Sequence, residues 1–330
     1  MKNKNYSFSL GKIMFMVVLG AFAWYAVKHL DQTKQIVTAL TKGKIEWVLL
    51  AVLVLVFYYY VYTIFFKTCF VYFDLNYSKK RLLMVYLATK FTAIALPLAT
   101  IGQIALFVGE AKKEGEAVVS ATFAAIFAMV TDVIAFWIIS LLPLFVLGQS
   151  NNISSYYQTV FGIFTLIVAA LMAAGYYYFR NKKFSHKIFD WISKSLQKFN
   201  IELPEEEYPR HVSGQGRKII SKALAISLSL QILQICILSL MFLAFGQENH
   251  LNLVLVSYTV GILFTILSIT PQGAGVAEAT MVITMVSGGV PLENAVLITV
   301  GFRGLIYLVP VLPGFWAFNR LKLLTGDSKK

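Results

Sequence analysis

The chain has 330 residues and a formal charge of +13; 58 % of it is hydrophobic, 14 % is charged, and the mean hydropathy is +0.70. Soluble domains carry about 25 % charged residues, so this composition excludes the two soluble domains that the length alone would allow. The positive charge is therefore a question of membrane topology before it is a question of nucleic acid.

Apolar runs long enough to cross a hydrocarbon core of about 30 Å recur along the whole chain. The first, about 9–29, contains Ala21-Phe22-Ala23, which fits a small-x-small cleavage pattern. It lies inside the apolar run and further apolar runs follow, so the segment reads as a span and not a signal peptide. Spans are predicted at about 9–29, 45–73, 117–147, 156–180, 219–245 and 291–319. Two more apolar stretches, 81–112 and 251–288, are interrupted by Pro97 and Gly102, and by Pro271, Gly273 and Gly275. Proline removes a backbone donor and glycine weakens a helix. Each stretch is expected to be two short helices around a break, a re-entrant hairpin. The fold predicted is an all-α polytopic membrane protein of about six full spans plus two hairpins, one transmembrane domain over 1–330.

Basic residues set the orientation. With the N-terminus inside and each hairpin returning to its own side, the inside segments 1–12, 67–81, 111–116, 180–222 and 320–330 hold 23 of the 29 Lys and Arg. Both termini are predicted to be cytoplasmic. The polar stretch 181–218 sets Phe184, Ile188, Phe189, Trp191, Ile192, Leu196 and Phe199 near one face and five lysines around the rest. It reads as an amphipathic helix on an anionic inner leaflet, or as an ordinary connector.

The order hairpin-then-span occurs twice, at about 81–147 and 251–319. Pro97 and Met129 are 32 positions apart, as are Pro271 and Arg303. The first hairpin starts inside and the second outside, so the units are expected to be inverted repeats, an arrangement of transporters with broken helices at the midplane.

Ionisable groups at membrane depth need a partner or a job. Here they are Lys90, Asp132, Glu278 and Arg303. The break PQGAG, with Pro271, Gln272, Gly273 and Gly275, exposes backbone N–H groups that suit a phosphate or a capping side chain. Gly102 and Gln103 take the corresponding place after Pro97. On one reading, Arg303 and Lys90 hold a phosphate-bearing headgroup while Glu278 and Asp132 orient them or receive a cation. On the other, Glu278–Arg303 and Lys90–Asp132 are ion pairs that lock helices together. Glu110, Lys112 and Lys113 read as solvated at the inner interface, and Cys69 and Cys236 as buried thiols. No cofactor or metal spacing, Walker loop, GxSxG or dinucleotide motif is present in the sequence.

The stretch ITPQGAGVAEATMVITMVSGGVPLENAVLITVGFRGLIYLVPVLPGF, Ile269 to Phe315, resembles the flippase-like transmembrane domain of lysylphosphatidylglycerol synthases through Pro271, Gly273, Gly275, Glu278, Ala295, Arg303 and Gly314. The earlier unit resembles the family through Pro97, Gly102 and Asp132, with Ala128 and Met129 where the family often has a Glu-Arg pair. The resemblance implies a bacterial inner-membrane translocator of a phospholipid, such as an aminoacylated or anionic one, or of a polyprenyl-linked lipid. The family's lysyl-transferring cytoplasmic domain is expected to be absent, since the sequence stops at Lys330. Two alternatives stand beside this: a phosphatidylglycerol lysyltransferase-type enzyme or its membrane half, and a non-catalytic anchor for a lipid-modifying enzyme or glycosyltransferase.

Overall fold

The computed structural model describes residues 43–95, 99–115, 117–148, 161–170, 172–173, 187, 190, 216–248, 250–268 and 270–321. The expected first span, the amphipathic connector and Pro97 lie outside them, as do parts of the expected 156–180 span. All described elements are helical. They are α1 (Ile45–Val71), α2 (Lys79–Ala95), α3 (Ala99–Glu114), α4 (Val118–Gly148), α5 (Phe161–Ala170), α6 (Gly216–Ala244), α7 (Leu251–Leu267), α8 (Val276–Ser287), α9 (Leu292–Arg303) and α10 (Val311–Leu321). A 3-10 turn at Pro271–Gly273 precedes α8, and a π-helical turn at Gly304–Leu308 joins α9 to α10.

Among the described residues, four helical stretches are long and apolar enough to cross a membrane: Ile45–Val71, Val118–Pro143, Gly216–Ala244 and Leu292–Leu321. At 1.5 Å per residue, the 27 residues of α1 reach about 40 Å. The arms of the two broken stretches are shorter. The 17 residues of α7 reach about 26 Å and the 12 of α8 about 18 Å, less than a hydrocarbon core of about 30 Å.

Both broken stretches fold back on themselves. Arg81 at the start of α2 pairs with Glu110 near the end of α3. Gly288 at the end of α8 lies against Leu253 at the start of α7. Helix α2 is described to Ala95 and α3 from Ala99, and Gly102 and Gln103 lie within α3. Gly102 was expected at the break. A single glycine costs a helix only about 1 kcal/mol against alanine, and α3 continues through it.

Contacts between helix ends sort the bundle into two ends. At one, Gly216 at the start of α6 meets Tyr72 just past α1, and Lys113 after Glu110 donates to the carbonyl of Leu321 at the end of α10, 2.6 Å away. At the other, the Lys44 N–H ahead of α1 donates to the Ala244 carbonyl ending α6, 2.8 Å away. Helices α1 and α6 are thus antiparallel along their lengths, and they pack on each other as the main seam of the bundle. The aromatic core lies beside that seam: Tyr62 stacks on Tyr86 at 4.2 Å between centroids, and Phe66, Phe70 and Phe107 continue it between α1 and α3.

The first end carries the surprise among charged residues. Glu110 and Lys113 were expected to be solvated. Glu110 is instead buried at 2 % exposure against Arg81, whereas Lys113 stays exposed as expected and caps α10 with its ammonium. Sequence position placed both at the interface; the return of α3 onto the start of α2, where Arg81 waits, is what removes Glu110 from water. Lys112 is exposed as expected. Cys69 is a buried thiol, whereas Cys236 faces outward from α6.

Helix α10 lies along α2 because Gly314 has no side chain. A Cβ there would run into the Leu87 carbonyl, which is backbone that cannot swing away, and into the Phe91 Cβ. Close approach through small residues is the ordinary way helices associate where no hydrophobic effect separates them from lipid.

Candidate functional site

The break of the second hairpin is built around Arg303. After α7 ends at Leu267, the chain turns through Gln272 (φ 54) and Gly273 (φ 69) into α8. Glycine takes a left-handed φ without cost; glutamine does so at about 1 kcal/mol or more. A Cβ on Gly273 would also strike the Thr265 backbone, so the turn sits flat against the end of α7. The strained Gln272 points its carbonyl at Arg303.

Arg303 closes α9 and is 6 % exposed. Its Nε donates to Glu278 Oε1 at 2.7 Å, one terminal nitrogen to Thr265 Oγ1 at 3.0 Å, and the other to the Gln272 carbonyl at 2.5 Å. Its guanidinium lies 4.2 Å from the Tyr307 ring centre. Glu278 stands in the first turn of α8, where the helix dipole favours an anion. Its Oε2 accepts the Gly275 N–H at 2.7 Å. Gly275 has no side chain, so only the glutamate half of a capping box is formed. Arg303 therefore staples α7, the 3-10 turn, α8 and the π turn together.

The π turn explains the placement of Tyr307. The Val309 N–H reaches back five residues to the Gly304 carbonyl at 2.9 Å. One extra residue per turn changes the side-chain register after Arg303 and puts the Tyr307 ring beneath the guanidinium. Tyr59 of α1 donates to the Ile306 carbonyl at 3.4 Å, covering backbone in this widened turn.

A second polar cluster lies between α1, α4, α6 and α7. Asp132 Oδ1 accepts Ser227 Oγ at 2.6 Å and Gln231 Nε2 at 3.0 Å; Oδ2 accepts Tyr62 OH at 2.9 Å. Tyr258 donates to Gln231 Oε1 at 2.5 Å, which turns the amide so that its NH₂ faces Asp132. All three groups around the carboxylate donate to it.

Lys90 joins the two clusters without belonging to either by hydrogen bond. Its ammonium lies 5.1 Å from the Tyr86 ring centre and 5.8 Å from that of Tyr307. Tyr86 in turn stacks on Tyr62, which holds Asp132. The expected Lys90–Asp132 ion pair is not formed: neutral donors on α1 and α6 satisfy the carboxylate, and the Tyr62–Tyr86 stack occupies the ground between. Cation–π contact supplies about 0.5–2 kcal/mol. Placing a lysine at the centre of a membrane helix costs about 2.5–3.5 kcal/mol on insertion scales.

The sequence-predicted residues thus divide. Arg303, Glu278, Gln272, Gly273 and Gly275 converge, with Pro271 opening the same turn. Lys90 touches this cluster through Tyr307. Asp132 centres a neighbouring one. Gly102 and Gln103 lie on α3, and Pro97 is outside the described residues. Gln272 contributes its backbone and not its side chain. Thr265, Tyr307, Tyr62, Ser227, Gln231 and Tyr258 were missed. Ser227 and Gln231 stand four apart on an apolar helix, and that spacing puts the pair on one face.

A family model described as "Lysylphosphatidylglycerol synthase TM region" matches residues 11–314. No curated protein matches the chain.

Proposed function

The chain belongs to the lysylphosphatidylglycerol synthase TM region family, and from that premise we propose that it is a lipid translocator of the bacterial inner membrane. Its substrate on this reading is a phospholipid headgroup carried between leaflets, and both termini are cytoplasmic. The observation that carries the reading is the meeting of a broken hairpin with charged residues part-way along a spanning stretch. The break at Pro271–Gly275 is held by Arg303, twelve residues into the stretch Leu292–Leu321. The same 3-10 turn packs against α2 of the other hairpin. Irregular backbone at membrane depth is tolerated where protein buries it or where it lines a polar path.

Two further features support it. Each unit reads as long helix, hairpin, long helix: α1, α2–α3 and α4, then α6, α7–α8 and α9–α10. The first members of the two units, α1 and α6, run antiparallel, as an inverted repeat requires. The bundle end that gathers Lys79, Lys80, Arg81, Lys112, Lys113, Arg217 and Arg320 is the basic one, which suits the cytoplasmic side.

A lipid-accessibility assay in reconstituted vesicles tests the proposal. Wild type is expected to equilibrate a fluorescent phospholipid between leaflets well above the protein-free rate, and Glu278→Gln to slow it by about tenfold or more, the equivalent of one charge-assisted hydrogen bond. Equal rates for wild type, Glu278→Gln and empty vesicles would sink it. Thin-layer analysis of lipids from cells making this chain alone separates the enzyme alternative, which requires aminoacylated lipid to accumulate.

A further inference from the structure

The buried cations are unequal. Every nitrogen of Arg303 is engaged, by Glu278, Thr265 and the Gln272 carbonyl, and its face is covered by Tyr307. A phosphate could reach the guanidinium only by displacing one of the bonds that hold the hairpin break. Arg81, at the bundle end, is committed to Glu110. Lys90 differs. Among the described residues its ammonium has two tyrosine rings beside it and no carboxylate or carbonyl oxygen in hydrogen-bond reach. The residue is half-buried while its neighbours Thr89 and Phe91 are each 3 % exposed.

A second orphan lies on the same helix face. The Tyr86 hydroxyl is buried and has no hydrogen-bond partner. Tyr86 and Lys90 are four apart on α2, one turn of the same face. A buried hydroxyl and a buried ammonium, both donors and both without an acceptor, call for an oxygen-rich anion.

We propose that Lys90, not Arg303, is the residue that binds the lipid phosphate, and that its ligand is a lipid with a single phosphodiester. This deepens the translocator reading and rests on it for the lipid's path, though not for its binding. Arg303 is then a positioning residue: it holds the hairpin break and sets Tyr307 beside Lys90. One ammonium outside any direct ion pair, with Asp132 acting on it only through space, meets one phosphodiester charge. A pyrophosphate-linked lipid would bring more negative charge than the site has free cations to meet.

The test is lipid binding to the purified full chain in detergent, followed by native mass spectrometry. The probes are dihexanoyl-phosphatidylglycerol, farnesyl pyrophosphate and inorganic phosphate. Wild type is expected to prefer the phosphatidylglycerol probe, with inorganic phosphate failing to compete. Lys90→Gln should weaken binding by about tenfold or more, the scale of one charge-assisted contact, and Lys90→Arg should restore it to within about threefold. A Lys90→Gln protein that melts like wild type and binds the probe equally well overturns the proposal. So does equal competition by inorganic phosphate, which would mark a site for free anions, or tighter binding of the pyrophosphate. Should Lys90→Gln fail to fold, a headgroup-diazirine phosphatidylglycerol on wild type decides: adducts within residues 86–94 support the site, and adducts confined elsewhere refute it. Lipid crossing at wild-type rates with binding insensitive to Lys90 refutes this inference alone. Lys90-dependent binding without any lipid crossing refutes the translocator reading alone.

Discussion

Arg303 and Glu278 show how a charge is kept at membrane depth. The pair is hydrogen-bonded at 2.7 Å, with side-chain exposures of 8 % and 31 %. Removing one partner of a fully buried pair costs about 3–5 kcal/mol because the other charge is left bare. The partial opening of Glu278 lowers the expectation for Glu278→Gln to about 2–3 kcal/mol. The double variant Glu278→Gln/Arg303→Gln should recover at least half of the loss, since it removes the orphaned charge as well. Thermal or denaturant melts of the four proteins in detergent check this, and simple addition of the two single losses would show that the residues do not act as a pair. At Gly314 the constraint is space. Gly314→Ala places a methyl against the Leu87 carbonyl, and overpacking of this kind costs about 1–3 kcal/mol. Gly162→Ala, where nothing lies within 4 Å of the added carbon, is the control and should melt at or above the wild-type temperature.

At the level of elements, the π turn Gly304–Leu308 is the decisive irregularity. It inserts one residue between the α9 that carries Arg303 and the α10 that packs on α2. Such single-turn bulges are costly and gather at functional places. Deleting Leu305 should let α9 and α10 fuse into one regular helix. Helix content by circular dichroism is then expected to stay level, while lipid translocation falls to background, because Tyr307 leaves its place under Arg303 or Gly314 leaves Leu87. Translocation at the wild-type rate in that deletion would show that the bulge is incidental.

Over the whole molecule, the two ends of the bundle differ in charge, and sidedness follows. In a Cys69→Ser/Cys236→Ser background, cysteine at Lys44 or Glu293 should react with a membrane-impermeant maleimide in intact cells. Cysteine at Lys112 should react only after permeabilisation. Lys44 and Glu293 line one shallow pocket with Ala244 and Leu297, so they must label together. The reverse pattern would invert the topology, and labelling of all three positions from one side would contradict the two-ended arrangement.

Much of this was legible from the linear order. Apolar runs fall within a few residues of α1, α4, α6 and the α9–α10 stretch, because a span must bury its own backbone bonds and lipid demands about twenty apolar residues. Pro271, Gly273 and Gly275 located the second break, since their effects are local. The rest depended on contacts between segments far apart in sequence. Nothing in the run around Arg303 says that its three donors are already taken by Thr265, Gln272 and Glu278, or that Ser227 and Gln231 reach across from α6 to Asp132. The fate of Lys90 is the clearest case. Its sequence says that a charge sits in hydrocarbon; only the packing of α2 against the π turn leaves that charge with tyrosine faces and no acceptor, because hydrogen-bond saturation is a property of what neighbours bring and not of the residue itself.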